Sequence, residues 1–357
     1  MAGSSFGTVF RITTWGESHG EGIGCIADGV PAGYPLSADD IQAYLDRRKP
    51  GVSKFSTPRK EADRVEILSG VFEGRTTGTP VSLLIRNENQ HSKDYSALAD
   101  KYRPGHADYG YDVKYGFRDY RGGGRSSGRE TAGRVAGGAV AACILRSMGI
   151  SFTTYTKQIG SIVCDPEKFD ADYISQNDLC MSDPEAYEEA ASFLQRCREE
   201  TDSAGGIAEC IISGVPAGLG DPVFEKLDAK LAGAVFSIGA VKGFEIGSGF
   251  AAAQKKGSGN NDPFGTDQDG NIITLTNNCG GILGGISTGG DIVFRAAFKP
   301  TPSIAKEQKT VDINGNPVTL SIHGRHDPII VPRAVVVVEC MAACVILDAL
   351  LLNRTAR

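Results

Sequence analysis

The sequence predicts an α+β protein built from two pseudo-equivalent halves, roughly residues 1–150 and 151–357, and three observations carry that prediction. The stretch GIGCIADGVPAG starting at Gly22 returns as IAECIISGVPAG starting at Ile207, and VEILSG from Val65 returns as FEIGSG from Phe244. The two matches keep their order at offsets of 185 and 179 residues; one alone is within reach of chance, whereas two in order indicate duplication. Both halves also mix alternating, strand-like segments with helix-like spacing. Glycine supplies 46 of 357 residues, nearly twice the usual ~7% and without a three-residue period, which calls for many tight turns and close backbone approaches.

In order along the chain, residues 8–13 and 23–26 alternate like strands. Ser37 followed by Asp40 makes a capping-box pattern that opens a helix to about Arg47, and Pro50-Gly51 stops it. Residues 65–72 and 80–86 read as strands joined by a Gly-Arg-Thr-Thr-Gly turn. Residues 87–127 show little period and read as a long loop, and loops of that length are more often functional or ordered by a ligand than idle. From Arg129 to Met148 small and apolar residues recur at helical spacing and end at Gly149, predicting a helix packed closely against a neighbour. The apolar run 334–352 is interrupted by Glu339 and Asp348 and preceded by Pro332, so it reads as a buried helix, or a strand running into a helix, and not as a membrane span.

With 41% hydrophobic and 22% charged residues, the chain is expected to be folded and soluble, neither disordered nor a membrane bundle. Its net charge of −6 and pI near 5.5 argue against a nucleic-acid partner. Nine cysteines without a C-x-x-C pair, and a start lacking a charged or apolar leader, predict a cytoplasmic, reduced protein without a metal site. Two stretches run against the acidic total. Residues 47–64 hold seven Lys/Arg against two acids, and residues 101–134 hold eight against four. Arginine forks suit carboxylate and phosphate, so such islands suggest a small, multiply charged anion as ligand.

Gly16-Glu17-Ser18-His19-Gly20 matches G-x-S-x-G by letter and invites a serine hydrolase with Ser18 as nucleophile. The glycines at 20, 22 and 24 disfavour the helix that a nucleophile elbow requires. His19, in a polar, glycine-flanked turn, suits a general acid or a phosphate ligand. His106 has Asp108 two residues on, which either orients the ring or decorates the surface. Asp327 precedes Pro328 and is therefore held extended. Residues 122–131, GGGRSSGRET, lead into the predicted helix and join glycines, hydroxyls and arginines in an anion cradle, although neither a Walker A nor a dinucleotide fingerprint is present. Residues 278–290 and 299–303 form a later, glycine- and proline-rich counterpart.

The motifs GESHG, RPGHAD, GGGRSSGRETAGR, GAVKGFEIG, GGILGGIS, KPTPSI and GRHDP occur in this order between residues 16 and 328, and together they closely resemble the chorismate synthase family. The resemblance implies a β-α-β sandwich with internal pseudo-symmetry, in a single domain. It implies anti-1,4-elimination of phosphate and a ring hydrogen from 5-enolpyruvylshikimate 3-phosphate to give chorismate, with reduced FMN required although the reaction is redox-neutral. By resemblance His19 protonates the leaving phosphate, His106 attends the protonation of reduced flavin at N1, and Asp327 assists flavin N5 in removing the ring proton. Arg48, Lys54 and Arg134 match positions that hold substrate anions, and Ser18 joins them; Arg48 and Lys54 also match positions for NADP in bifunctional members. Flavin contacts fall on Arg125, Ser126, Ser127, Gly239, Ala240, Gly284, Lys299, Pro300, Thr301, Pro302, Ser303 and Arg325. Lys54, Gly239 and Pro302 depart from the commonest family pattern. A homotetramer is implied, and the loops around 47–60, 87–127 and 299–310 are expected to order when flavin binds; the sequence leaves open whether the chain reduces its own flavin or relies on a separate flavin reductase, and its length without large insertions points to the latter. A flavin-dependent oxidoreductase and a non-enzymatic anion-binding protein are the rival readings.

Overall fold

A computed structural model describes residues 3–51, 55, 61–88, 98–121, 123–322, 327–354 and 356. Two five-stranded antiparallel sheets enclose a layer of helices, the β-α-β sandwich of an α+β protein. The first sheet runs Ser5–Phe6, Arg11–Gly16, Gly22–Asp28, Val81–Arg86, Val65–Ser69 in spatial order. The second runs Ile162–Val163, Ser151–Ile159, Gly206–Ser213, Ile292–Phe298, Val241–Ile246. The segments that echo each other in sequence thus take the third and fifth places in both sheets.

The helices are α1 (Ala38–Arg48), α2 (Asp108–Tyr115), α3 (Thr131–Ser147), α4 (Pro184–Glu199), α5 (Leu227–Phe236), α6 (Gly257–Asn260) and α7 (Val331–Asn353). α3 lies on the first sheet, α7 on the second, and the two pack against each other. Close approach there depends on glycine: a Cβ on Gly138 would stand 2.4 Å from that of Cys340, and one on Gly137 2.6 Å from Cys25 Sγ. α7 is long and apolar enough to cross a membrane, but 89% of its most apolar stretch is buried between the sheets. Its two acids are accommodated: Asp348 accepts from the amides of Thr8, Val9 and Phe10, and Glu339 takes a bidentate pair from Arg47. All nine cysteines are free.

α1 starts at the Ser37–Asp40 capping box, as its sequence predicts. Two expectations differ from the structure. The strand expected at 8–13 runs Arg11–Gly16 instead, because Asp348 ties down the amides of residues 8–10. The stretch 87–127 is not loop throughout, since α2 forms within it around the buried Asp108 and ends at Gly116 in a left-handed conformation.

Candidate active site

Segments distant in sequence converge at the N-terminal ends of α3 and α7. At the centre stands Asp63, fully buried and held at φ 47°, a region that L residues seldom adopt outside constrained sites. One carboxylate oxygen accepts from Arg48 at 2.5 Å and the other from Arg129. Burial alone would raise the Asp63 pKa; the two guanidiniums overcome it and hold the group at about 2. Burial pulls both arginines below their ordinary value, with Asp63 opposing. Arg48 also reaches Gly128 O at 3.5 Å and Thr131 Oγ1 at 3.4 Å, and its buried Nε lacks a hydrogen-bond partner among the described residues.

Arg333 extends the cluster, donating from Nε to Arg48 O at 3.0 Å and from a terminal nitrogen to buried Asp327. Glu61, also buried, contributes a third carboxylate that acts on both Arg48 and Arg129. Three arginines and three carboxylates balance, so the guanidiniums are oriented by the protein itself. The cluster is a rigid, charge-balanced support where the basic islands meet.

His19 sits in the turn between the second and third strands of the first sheet, half-buried, with Nδ1 3.0 Å from Oγ of buried Ser18. Ser18 lies between two antiparallel strands, so the strand-turn-helix of a nucleophile elbow is not formed. Arg125 clamps the strand that enters this turn, donating to Thr14 Oγ1 at 2.7 Å and to the carbonyls of Thr14 and Gly16, each at 3.2 Å. Ser126 donates to Gly123 O at 2.7 Å, while Ser127 caps the next turn by accepting from Arg129 N at 3.3 Å. The cradle's backbone turns on Gly123 and Gly124, at φ 87° and 52°.

His106 joins the loop 103–108 to the segment 299–303. Its Nδ1 lies 3.0 Å from Pro104 O and its Nε2 2.9 Å from Ser303 Oγ. A carbonyl can only accept, so the proton is assigned to Nδ1, and bare Nε2 accepts from the serine. Burial, then Arg103, lowers its pKa to about 4, so the ring is neutral at pH 7. Asp108 neither orients this ring nor decorates the surface: it is spent on Arg103, at 2.7 and 2.8 Å, and on Arg118 at 3.4 Å. Lys299 donates to Gly105 O at 2.5 Å, and burial together with neighbouring Lys242 lowers its pKa. Thr301 O accepts from Ser203, and Pro328 O from Ala204, which brings Asp327 and the 299–303 segment to adjacent residues of one strand approach.

Arg134 pairs with Glu130 at 2.6 Å and reaches Ser237 Oγ and O at 2.5 and 3.1 Å. Gly239 and Ala240 follow, and Ala240, at φ 72°, accepts Lys299 N at 2.9 Å. Gly284 is the exception. It lies in the hairpin Ile282–Ser287, whose Gly285 O accepts from Leu227 N at the start of α5, about 15 Å by helical rise from Ser237 at its end. Lys54 and Arg325 lie outside the described residues, as do parts of the loops 47–60 and 87–127. Sequence reasoning missed Asp63, Glu61, Asn87 and Arg333. The signal available for the first two was that they are the sole acids in the basic island 47–64.

The donor set suits a phosphorylated cofactor. Thr301 Oγ1 is buried without a hydrogen-bond partner among the described residues, two residues from Lys299, whose backbone amide donates to O of the left-handed Ala240.

The family model described as chorismate synthase matches residues 10–351. Chorismate synthases of Lachnoclostridium phytofermentans and Agathobacter rectalis are 62% and 61% identical over all 357 residues, covering 97% of each relative. A crystal structure of chorismate synthase superimposes with a TM-score of 0.77 at 34% identity, covering 98% of this chain and 93% of that one.

Proposed function

The chain belongs to the chorismate synthase family, lyases of the shikimate pathway, and on that premise we propose that it forms chorismate from 5-enolpyruvylshikimate 3-phosphate by anti-1,4-elimination with reduced FMN. The observation that supports this reading is the meeting of both basic islands at Asp63, with Asp327 joined to them through Arg333 and the His19 turn joined through Asn87 and Arg129, while His106 stands with the 299–303 segment. A substrate with two carboxylates and a phosphate matches such a site.

In this reading Arg48 and Arg134, with Lys54 and Ser18, hold substrate anions, and Arg48 and Lys54 take NADP if the enzyme is bifunctional. Lys299 through Ser303, Gly239, Ala240, Arg125, Ser126, Ser127 and Arg325 hold FMN, whose reduced form, when bound, supplies the electron density that loosens the C–O bond. Gly284 is a further proposed flavin contact, and a homotetramer is the proposed assembly. His19 gives its proton to the departing phosphate oxygen, with Ser18 fixing the other ring nitrogen. His106 is neutral and offers Nε2 as an acceptor, so its part is to receive or relay a proton through Ser303 rather than to begin as an acid. Asp327, its position set by Arg333, would assist the flavin in removing the ring proton. We read the chain as one domain of duplicated halves, about 1–150 and 151–357, a division that the shared strand order supports. A cytoplasmic location and a separate flavin reductase complete the proposal.

The test is an anaerobic assay with 5-enolpyruvylshikimate 3-phosphate and chemically reduced FMN, following phosphate and chorismate together. Equal release, with flavin still reduced at the end, is expected. Net oxidation of flavin in step with substrate would replace the elimination by a flavin oxidoreductase.

A further inference from the structure

We propose that Asn87 is the positioning residue for His19, an inference that rests on the proton-donor role given to His19 above. Asn87 directly follows the strand Val81–Arg86, and its amide donates to Glu21 O at 3.1 Å, carrying the Gly22–Arg86 pairing one residue further. Its side-chain Nδ2 donates to Glu17 O at 3.0 Å and to Gly20 O at 2.9 Å, the carbonyls on either side of Ser18-His19. Its Oδ1 accepts from Arg129 Nε at 2.9 Å. The amide orientation is therefore determined by its neighbours, because carbonyls only accept and a guanidinium only donates.

Asn87 ties together the two carbonyls that bracket the turn. The turn's own closing bond is Gly20 N to Glu17 O at 3.2 Å, and glycine flanks it on both sides, Gly16 at φ 87°. Asn87 thus hangs the His19 turn on Arg129, which is itself anchored on buried Asp63. A path from the anion-orienting arginines to the acid runs through one primary amide. An aspartate at this place would keep the shape and strengthen the bond to Arg129, but it would set a negative oxygen against two carbonyls and release the turn.

The test uses the full chain with FMN and compares Asn87→Asp and Asn87→Ala, each alone and in a His19→Asn background. The expected result is a loss of about 100-fold in kcat, the scale of a displacement of about 1 Å at a reacting group, with KM within about twofold, and no comparable further loss once His19 is gone. A second readout does not depend on turnover: the rate at which diethyl pyrocarbonate modifies His19, followed by peptide mass with His106 as internal reference. That ratio should change at least threefold in Asn87→Asp, and it stands as the test should Asn87→Ala prove unstable. An inactive wild-type enzyme would overturn the proposed reaction while the modification ratio still decides the positioning. An unchanged ratio, or an equal loss of kcat with and without His19, would overturn the inference.

Discussion

Replacing Asp63 by asparagine should be among the most damaging isosteric changes in the chain. The carboxylate is fully buried between two guanidiniums that are themselves 3% and 5% exposed. Holding its pKa at about 2 instead of 3.8 is worth about 2 kcal/mol, since each unit is about 1.4 kcal/mol. Substitution should cost more, about 3–5 kcal/mol, because it leaves two buried cations without their counter-charge. Protonation, by contrast, leaves an acid that still accepts from both. At a urea slope of about 3 kcal/mol per M, the midpoint should fall by about 1 M at pH 7 and fixed protein concentration. The folded pKa is depressed, so this contribution is complete above the unfolded value near 3.8 and is lost as pH falls toward 2. The gap between wild type and Asp63→Asn should therefore narrow by about 2 kcal/mol between pH 4 and 2. A variant within 1 kcal/mol of wild type at pH 7, or a gap that ignores pH over that interval, would refute the account of this cluster.

The His106 ring should titrate near pH 4 by histidine NMR; because its folded pKa lies below the unfolded 6.5, stability should fall as pH drops from 6.5 to 4, and a midpoint above 6 would contradict its burial. Gly105→Ala should weaken FMN binding at least tenfold by flavin fluorescence titration, since the new Cβ stands 2.7 Å from Pro302 Cβ and φ is 71°. Arg47→Met should cost more stability than Glu339→Gln in parallel urea curves. The arginine is 44% exposed and can turn to water, whereas Glu339, at 6%, would be left as an unpaired buried carboxylate. Limited proteolysis should show the 47–60 and 87–127 stretches protected by FMN, and equal cleavage with and without it would count against cofactor-linked ordering.

Much of this arrangement is legible in one dimension. The Ser37–Asp40 cap, the small-residue stripe of α3 and the apolar run of α7 depend on local pattern, and local pattern is what sequence periodicity records. The motifs around His19, His106 and 122–134 could be named because glycine and charge cluster there against an acidic average. α2 was hidden because its period is short and exposed Tyr109, Val113 and Tyr115 disguise its face; a buried Asp108, held by Arg103 and Arg118, anchors its start.

The sequence alone determined which residues carry charge and which segments repeat, because composition and spacing are properties of the chain itself. Only the tertiary structure decided how the charges are spent. It turned Arg125 toward carbonyls of the first sheet, spent Asp108 on arginines instead of the His106 ring, and set Asp63 between guanidiniums contributed by residues 48 and 129. It also suspended the His19 turn from Asn87, 68 residues further along the chain. Such pairings follow from which strand ends and helix starts meet in space, and that is fixed by burying α3 and α7 between two sheets, not by any neighbour in sequence.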